Sequence, residues 1–227
     1  MTMTGVRNFI ARNVKYQLRN LIYRYPPVGL LPERLHVWLG ALKDTMPVPG
    51  DIAEIGCAAG GTAAVSSRML NHLGSTKVYY CYDTFSGFVG SQFDVDQNLG
   101  TPERDRTMFD ANSMKIAKWI TSHHGKGDVR LIQGDIMSVS DDKLPPRISA
   151  CLIDVDLSEP VYAALSRIRP RLSPGAIVIV DDCPEGYSWK ARIGYAKFMK
   201  EINQPERYDC GLGVFVNSPA AAQAAGA

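Results

Sequence analysis

A doubly wound, mostly parallel α/β sheet preceded by extra helices is the fold this sequence predicts. From residue 50 onward, short apolar runs bounded by turn residues alternate with longer stretches of helical period. Strands separated by helices pair in parallel through right-handed crossovers. Several of these runs end in glycine or aspartate, and the carboxyl edge of such a sheet is where ligands bind. The 227 residues, 45% hydrophobic and 21% charged, have ordinary globular composition and suffice for one self-supporting core. Three regions follow: an N-terminal helical extension over 1–49, an α/β domain over 50–217 and a flexible Ala-rich tail over 218–227.

The elements are justified in order. Over 6–23 the apolar residues stand at 6, 9, 10, 14, 18, 21 and 22, a helical spacing that Tyr25-Pro26-Pro27 ends. A second helix is expected over 33–45, closed by the turn residues 46–50. Strand 51–56 then leads to helix 61–73, and strand 77–83 follows. Residues 84–104 carry no period, so they read as a loop over the carboxyl edge, an active-site lid. The remaining expectations are helix 105–124, strands 129–133 and 150–155, helix 160–171, strand 176–181, helix 189–202 and a short last strand at 213–216.

Charge is uneven. Residues 1–32 hold Arg7, Arg12, Lys15, Arg19 and Arg24 and no acid, while the rest carries 20 basic and 23 acidic residues. The body is therefore no polyphosphate binder by charge, and no nucleic-acid motif is present. No apolar run approaches the ~18 residues of a membrane span, and no signal-peptide pattern opens the chain. Five cysteines without a Cys-x-x-Cys pair fit a reducing cytoplasm better than a disulfide or zinc framework. The N-terminal helices and their aromatic residues point to a homodimer contact or to a wall of the acceptor site.

The chemistry lies at the strand ends. The first strand runs into Glu54-Ile55-Gly56-Cys57-Ala58-Ala59-Gly60-Gly61-Thr62. Its glycines allow a sharp turn and close ligand approach before helix amides. An acid ahead of the first glycine suits a cationic amine better than a pyrophosphate, which favours S-adenosylmethionine over a nicotinamide dinucleotide. Asp83, followed by Thr84 and Phe85, stands where ribose hydroxyls would be bound. Gly134-Asp135-Ile136 follows the third strand, placing an acid near an adenine amino group. The fourth strand ends in Asp154-Val155-Asp156 and the fifth in Asp181-Asp182. Converging carboxylates repel, and a hard divalent cation such as Mg²⁺ compensates them.

Taken together, residues 54–62, 82–88, 134–135, 153–157 and 180–182 resemble the macrocin O-methyltransferase family, S-adenosylmethionine-dependent sugar O-methyltransferases. The likeness spans about residues 50–216. Ala191-Arg192 and Phe198 are similar to the family's segment after the paired aspartates. The resemblance implies a Rossmann-like class I methyltransferase fold, a methionine moiety held by Glu54 and the loop 56–61, ribose at Asp83 and adenine near Asp135. It also implies Mg²⁺ on Asp154, Asp181 and Asp182, a layout similar to catechol O-methyltransferase, and a sugar-containing acceptor. One departure is visible: macrolide-sugar members place a histidine soon after the paired aspartates, and residues 183–190 contain none. The candidate bases become Glu185, Tyr187 and His123, with His124 beside it, while Asp154 is placed at the reacting centre. A catechol-like acceptor, which ionises more easily, is the alternative. A nicotinamide oxidoreductase or a non-catalytic scaffold is disfavoured by Glu54 and by the acidic residues at the fourth and fifth strand ends.

Overall fold

The computed structural model describes residues 3–218. Seven strands form one sheet: β1 (Asp51–Ile55), β2 (Tyr79–Asp83), β3 (Val129–Gln133), β4 (Ile148–Ile153), β5 (Leu172–Val180), β6 (Tyr208–Asp209) and β7 (Leu212–Val216), in the spatial order β3-β2-β1-β4-β5-β7-β6. The first five pair in parallel, and β7 runs antiparallel to β5 and β6. The order reverses at β1/β4, the switch point at which such sheets open a crevice.

Side chains alternate across the strands, which divides the core in two. Ala53, Ile55, Cys151, Ile153, Val178 and Val180 face one layer with Val161, Leu165 and Phe198. These last come from α7 (Ser158–Ile168) and α8 (Ala191–Glu201). Ile52, Leu152 and Ile179 face the other with Trp38, Leu42 and Leu70, from α3 (Pro32–Asp44) and α4 (Gly61–His72). Trp38 is fully buried and its indole Nε1 donates to Ser66 Oγ at 2.9 Å, so α3 is riveted to α4 rather than appended to the domain. A Cβ on Gly61 would lie 2.0 Å from the Pro27 carbonyl oxygen. Only glycine lets the 26–28 segment cross the start of α4 so closely.

The expected first helix breaks at Leu18 into α1 (Met3–Gln17) and α2 (Arg19–Ile22). The aperiodic lid contains a helix, α5 (Gly90–Asn98). Its buried side chains are Phe93 and Asp96, and a buried acid erases the apolar periodicity that sequence reading depends on. Asp96 accepts from the Ser158 backbone N–H at 2.8 Å and from the Ser158 hydroxyl, so it serves the start of α7. The helix expected from residue 105 begins only at α6 (Met114–His124), capped by Ser113 Oγ accepting from Ile116 N–H. Strand β6 was not foreseen; two exposed residues give no apolar run. Of the expected tail over 218–227, residues 219–227 lie outside the described residues.

Candidate active site

The crevice at the carboxyl edge is a cavity of about 410 Å³ that adjoins a lobe of about 380 Å³. Gly56, Ala58, Phe109, Asn112 and Asp154 line both. Four non-glycine residues in the left-handed region stand just past strand ends: Ala58 (φ 45°), Phe85 (φ 52°), Asp156 (φ 62°) and Asp182 (φ 58°). Such strain persists only where surrounding contacts over-determine it, and it gathers at working sites. A Cβ on Gly56 would fall 1.9 Å from the Asp154 carbonyl oxygen, so glycine is required where the chain leaving β1 passes close against the end of β4.

In the smaller lobe Glu54 is 1% exposed and accepts a 2.6 Å hydrogen bond from the Tyr79 hydroxyl. Burial pushes its carboxyl up to about 8 against the lowering effect of that bond, with the Asp83 charge adding to the rise. A cation brought beside it would favour the ionised form. Gly61 and Thr62 line this lobe, whereas Gly60 and Phe85 line neither space. Gly60 instead takes the left-handed turn that caps α4, and Phe85 packs at 2% exposure.

Asp83, at the end of β2, ties the turn after β1 to its own strand end. Its carboxylate accepts from Ala58 N–H at 2.8 Å and from Phe85 N–H at 2.6 Å. Each oxygen has capacity for a further hydrogen bond, and Asp83 lines the larger cavity. Burial raises its carboxyl, and the two backbone donors oppose that rise. Thr84, Gly134, Asp135 and Ile136 line the same side. Asp135 accepts from Gln92 Nε2 at 2.7 Å and from Met137 N–H at 2.9 Å. Gln92 comes from α5, so the lid reaches this wall. Residue-by-residue reading missed it, since nothing local marks a glutamine in an aperiodic stretch.

The carboxylates of Asp154, Asp156 and Asp182 each offer an oxygen within 4.8 Å of the others. Asp154 and Asp156 are held well above the usual carboxylate range, first by burial and then by neighbouring carboxylates. Asp181 rises to about 6 for the same reasons. This trio differs from the expected set of Asp154, Asp181 and Asp182 in one member, and both Asp181 and Asp182 meet a partner the sequence did not reveal. Arg34, from α3, places Nη1 2.7 Å from Asp181 Oδ1 and 2.7 Å from Asp182 Oδ1. An arginine 147 residues away leaves no local signal. All-oxygen ligation by clustered carboxylates fits a hard cation such as Mg²⁺, and among the lining residues of the larger cavity Arg34 is the only Lys or Arg.

The candidate bases separate. Tyr187 lines the larger cavity, and the charge of Asp182 raises its phenol. Glu185 is exposed and outside the lining. His123 is a correction to the expected site. Helix α6 starts beside the cavity-lining Asn112 and carries His123 about 15 Å along its axis, where the ring stacks on Trp119 at 4.6 Å. His124 meets the Tyr23 carbonyl oxygen at 2.9 Å. An aromatic wall faces the carboxylates: Phe88 lies 5.3 Å from Phe109 and 5.5 Å from Trp189 between ring centroids. The N-terminal helix steadies it, with Asn8 Nδ2 and Arg12 Nε donating to Asp110 at 3.1 and 3.0 Å.

A family model described as a methyltransferase domain matches residues 53–183. The chain belongs to this methyltransferase family. It is an enzyme of the S-adenosylmethionine-dependent O-methyltransferase class, and the likeness to macrocin-type enzymes drawn from its motifs stands. A tetracenomycin methyltransferase from Streptomyces olivaceus, named as 8-demethyl-8-(2,3-dimethoxy-alpha-L-rhamnosyl)-tetracenomycin-C 4'-O-methyltransferase, is 28% identical over 186 residues, covering 77% of this chain and 68% of that one. Among solved structures, the O-methyltransferase NovP superposes with TM-score 0.70 at 18% identity, covering 82% of this chain and 80% of its own. The calicheamicin methyltransferase CalS11 gives 0.66 at 20%, covering 95% and 93%. The two structures establish the shared class I fold.

Proposed function

We propose that this methyltransferase transfers the methyl group of S-adenosylmethionine to a hydroxyl of a sugar-bearing acceptor, with Mg²⁺ at the carboxylate site. The observation that carries this reading is the meeting of the two lobes at Asp154, beside an all-carboxylate cluster. The rhamnosyl acceptor in the name of the Streptomyces relative supports a sugar. In this reading Glu54 takes the cofactor's amine, Asp83 its ribose, and Asp135 with Gly134 and Ile136 the adenine side. The methyl carbon leaves sulfur as a new carbon–oxygen bond forms, and the hydroxyl proton must depart. A bound divalent ion lowers the pKa of coordinated hydroxyls and fixes their orientation. Asp154, Asp156 and Asp182 would hold it. One carboxylate facing the hydroxyl could accept the proton, and Tyr187 closes the acceptor side. The aromatic wall of Phe88, Phe109 and Trp189 suits the apolar face of a sugar ring and equally a catechol, which keeps that alternative as an arm of the test.

We also infer that the exposed apolar stripe Val6, Ile10, Val14, Leu18 and Ile22 joins two copies. The basic first 32 residues of one copy would meet the net-acidic remainder of the other. No described helix is long and apolar enough to cross a membrane. Four buried free cysteines suit a reducing compartment such as the cytoplasm. The deciding experiment is calorimetric titration of S-adenosylmethionine, with and without Mg²⁺, followed by methyl transfer to a panel of rhamnosides and catechols. Cofactor binding with Mg²⁺-dependent transfer to a glycoside is expected. Preferential turnover of a catechol would replace the acceptor, and failure to bind the cofactor would overturn the assignment of Glu54 and Asp83.

A further inference from the structure

We infer that Lys15, carried by the N-terminal helix α1, anchors the α-carboxylate of the cofactor's methionine moiety and makes the smaller lobe selective for a zwitterion. The inference rests on the S-adenosylmethionine reading above. It gives a binding role to a residue outside the 53–183 segment matched by the family model. The methionine moiety bears an ammonium and a carboxylate on one carbon. Glu54 takes the ammonium, and the carboxylate then needs a positive partner. Among the residues lining the smaller lobe, Lys15 is the only Lys or Arg. Arg34, its counterpart in the lining of the larger cavity, is already bonded to Asp181 and Asp182. No ion pair among the described residues involves Lys15. Its ammonium is therefore not tied to Glu54 or Asp154, the two acids that line the same lobe.

Helix α1 holds this lysine in place. Asn8, Arg12 and Lys15 follow one another at spacings of four and three, which puts them on one helix face. Asn8 Nδ2 and Arg12 Nε donate to Asp110, and Phe109 and Ala111 on either side of Asp110 line the lobe. The face that fastens α1 to the lobe wall thus carries Lys15 one turn further on. Val6, Ile10 and Val14 lie exposed elsewhere on the helix. The chain leaving α2 then returns across the start of α4, where Pro27 and Gly61 both line the lobe and approach so closely that a Cβ on Gly61 would clash. Lys15 is partly buried, so its charge is screened less than that of a free surface lysine. The extension before the α/β domain supplies the positive end of the lobe, and β1 supplies the negative end.

The test is a cycle between protein and ligand, read by calorimetry on the full chain. The ligands are S-adenosylmethionine and its decarboxylated analogue, which keeps the sulfonium and the amine and lacks only the carboxylate. Lys15→Met is expected to weaken S-adenosylmethionine binding about fivefold or more, the loss of one charge-assisted contact. The same variant should bind the decarboxylated analogue within about twofold of the unmodified protein, a non-additivity that marks direct contact. Lys15→Arg, which keeps the charge, should restore most of the affinity. Lys118→Met removes an exposed charge from α6 outside both linings and should leave both affinities unchanged. Equal weakening of the two ligands by Lys15→Met would make the lysine merely structural and overturn the inference. Unchanged S-adenosylmethionine affinity, or an unmodified protein that binds both ligands equally, would overturn it too. If Lys15→Met does not fold, Lys15→Gln carries the same comparison. Failure of the unmodified protein to bind either ligand would instead defeat the cofactor reading, and the role of Lys15 with it.

Discussion

Glu54 shows how one buried group links stability to ligand binding. Its carboxyl titrates near 8 in the folded chain against 4.5 as the ordinary value. Between those pH values the folded state binds the extra proton, so stability contributed at this site falls as pH rises from 4.5 to 8. Thermal midpoints of the ligand-free protein should therefore decline across that window, and Glu54→Gln should flatten the decline. Near pH 7 the carboxyl is mostly protonated, so binding a cationic amine should expel close to one proton. Calorimetry in buffers of different ionisation enthalpy measures this; Glu54→Gln should release none and bind the cofactor at least about tenfold more weakly, the loss of one charge-assisted contact. Glu54, Asp83 and Asp135 were legible because each stands at a strand end beside glycine or a turn. Arg34 and Gln92 were not, because their partners come from elements far away in sequence.

At the element scale, α5 is tied to the start of α7 by one acid, beside its buried Phe93 and the Gln92–Asp135 bond. Asp96 is fully buried and accepts both the backbone and the hydroxyl hydrogen bond of Ser158. Asp96→Ala should cost about 1–3 kcal/mol, because a buried donor at the start of α7 loses its acceptor. Chemical denaturation reads that loss, and an unchanged midpoint would show that α5 is not anchored there. The aromatic wall makes a different claim. Phe88→Ala should raise KM for the acceptor several-fold with a smaller loss of cofactor affinity, since Phe88 lines the larger cavity and reaches the Glu54 lobe only through Phe109. A parallel loss of cofactor binding would show that the wall serves both lobes. The helix inside the lid escaped sequence reading for the same reason that it matters: an aspartate occupies its buried face.

For the molecule as a whole, the N-terminal extension is structural and not an appendage. Residues 26–28 cross α4, Trp38 bonds to Ser66, and Asn8 and Arg12 hold Asp110 at the cavity wall. Its outer side leaves Phe9, Ile10, Val14 and Leu21 at least half exposed, an apolar surface of the kind that marks an interface. The double substitution Ile10→Glu with Leu21→Glu should convert a dimer to a monomer in light scattering with little change in unfolding temperature. A monomer before substitution would dismiss the pairing. The division at residues 49/50 drawn from composition marks where strands begin, but packing crosses it throughout.

The sequence by itself determined the parallel sheet, the order of its strands along the chain, the glycine turn after β1 and the acids at the strand ends. Those features are written in local periodicity and in residue types that only certain backbone positions accept. The tertiary structure alone decided which aspartates face one another, that Asp181 meets Arg34, that Gln92 reaches Asp135, and that His123 is carried away from the crevice. Charge pairing acts through space over a few ångströms, and the chain brings those atoms together only after helices and strands have packed.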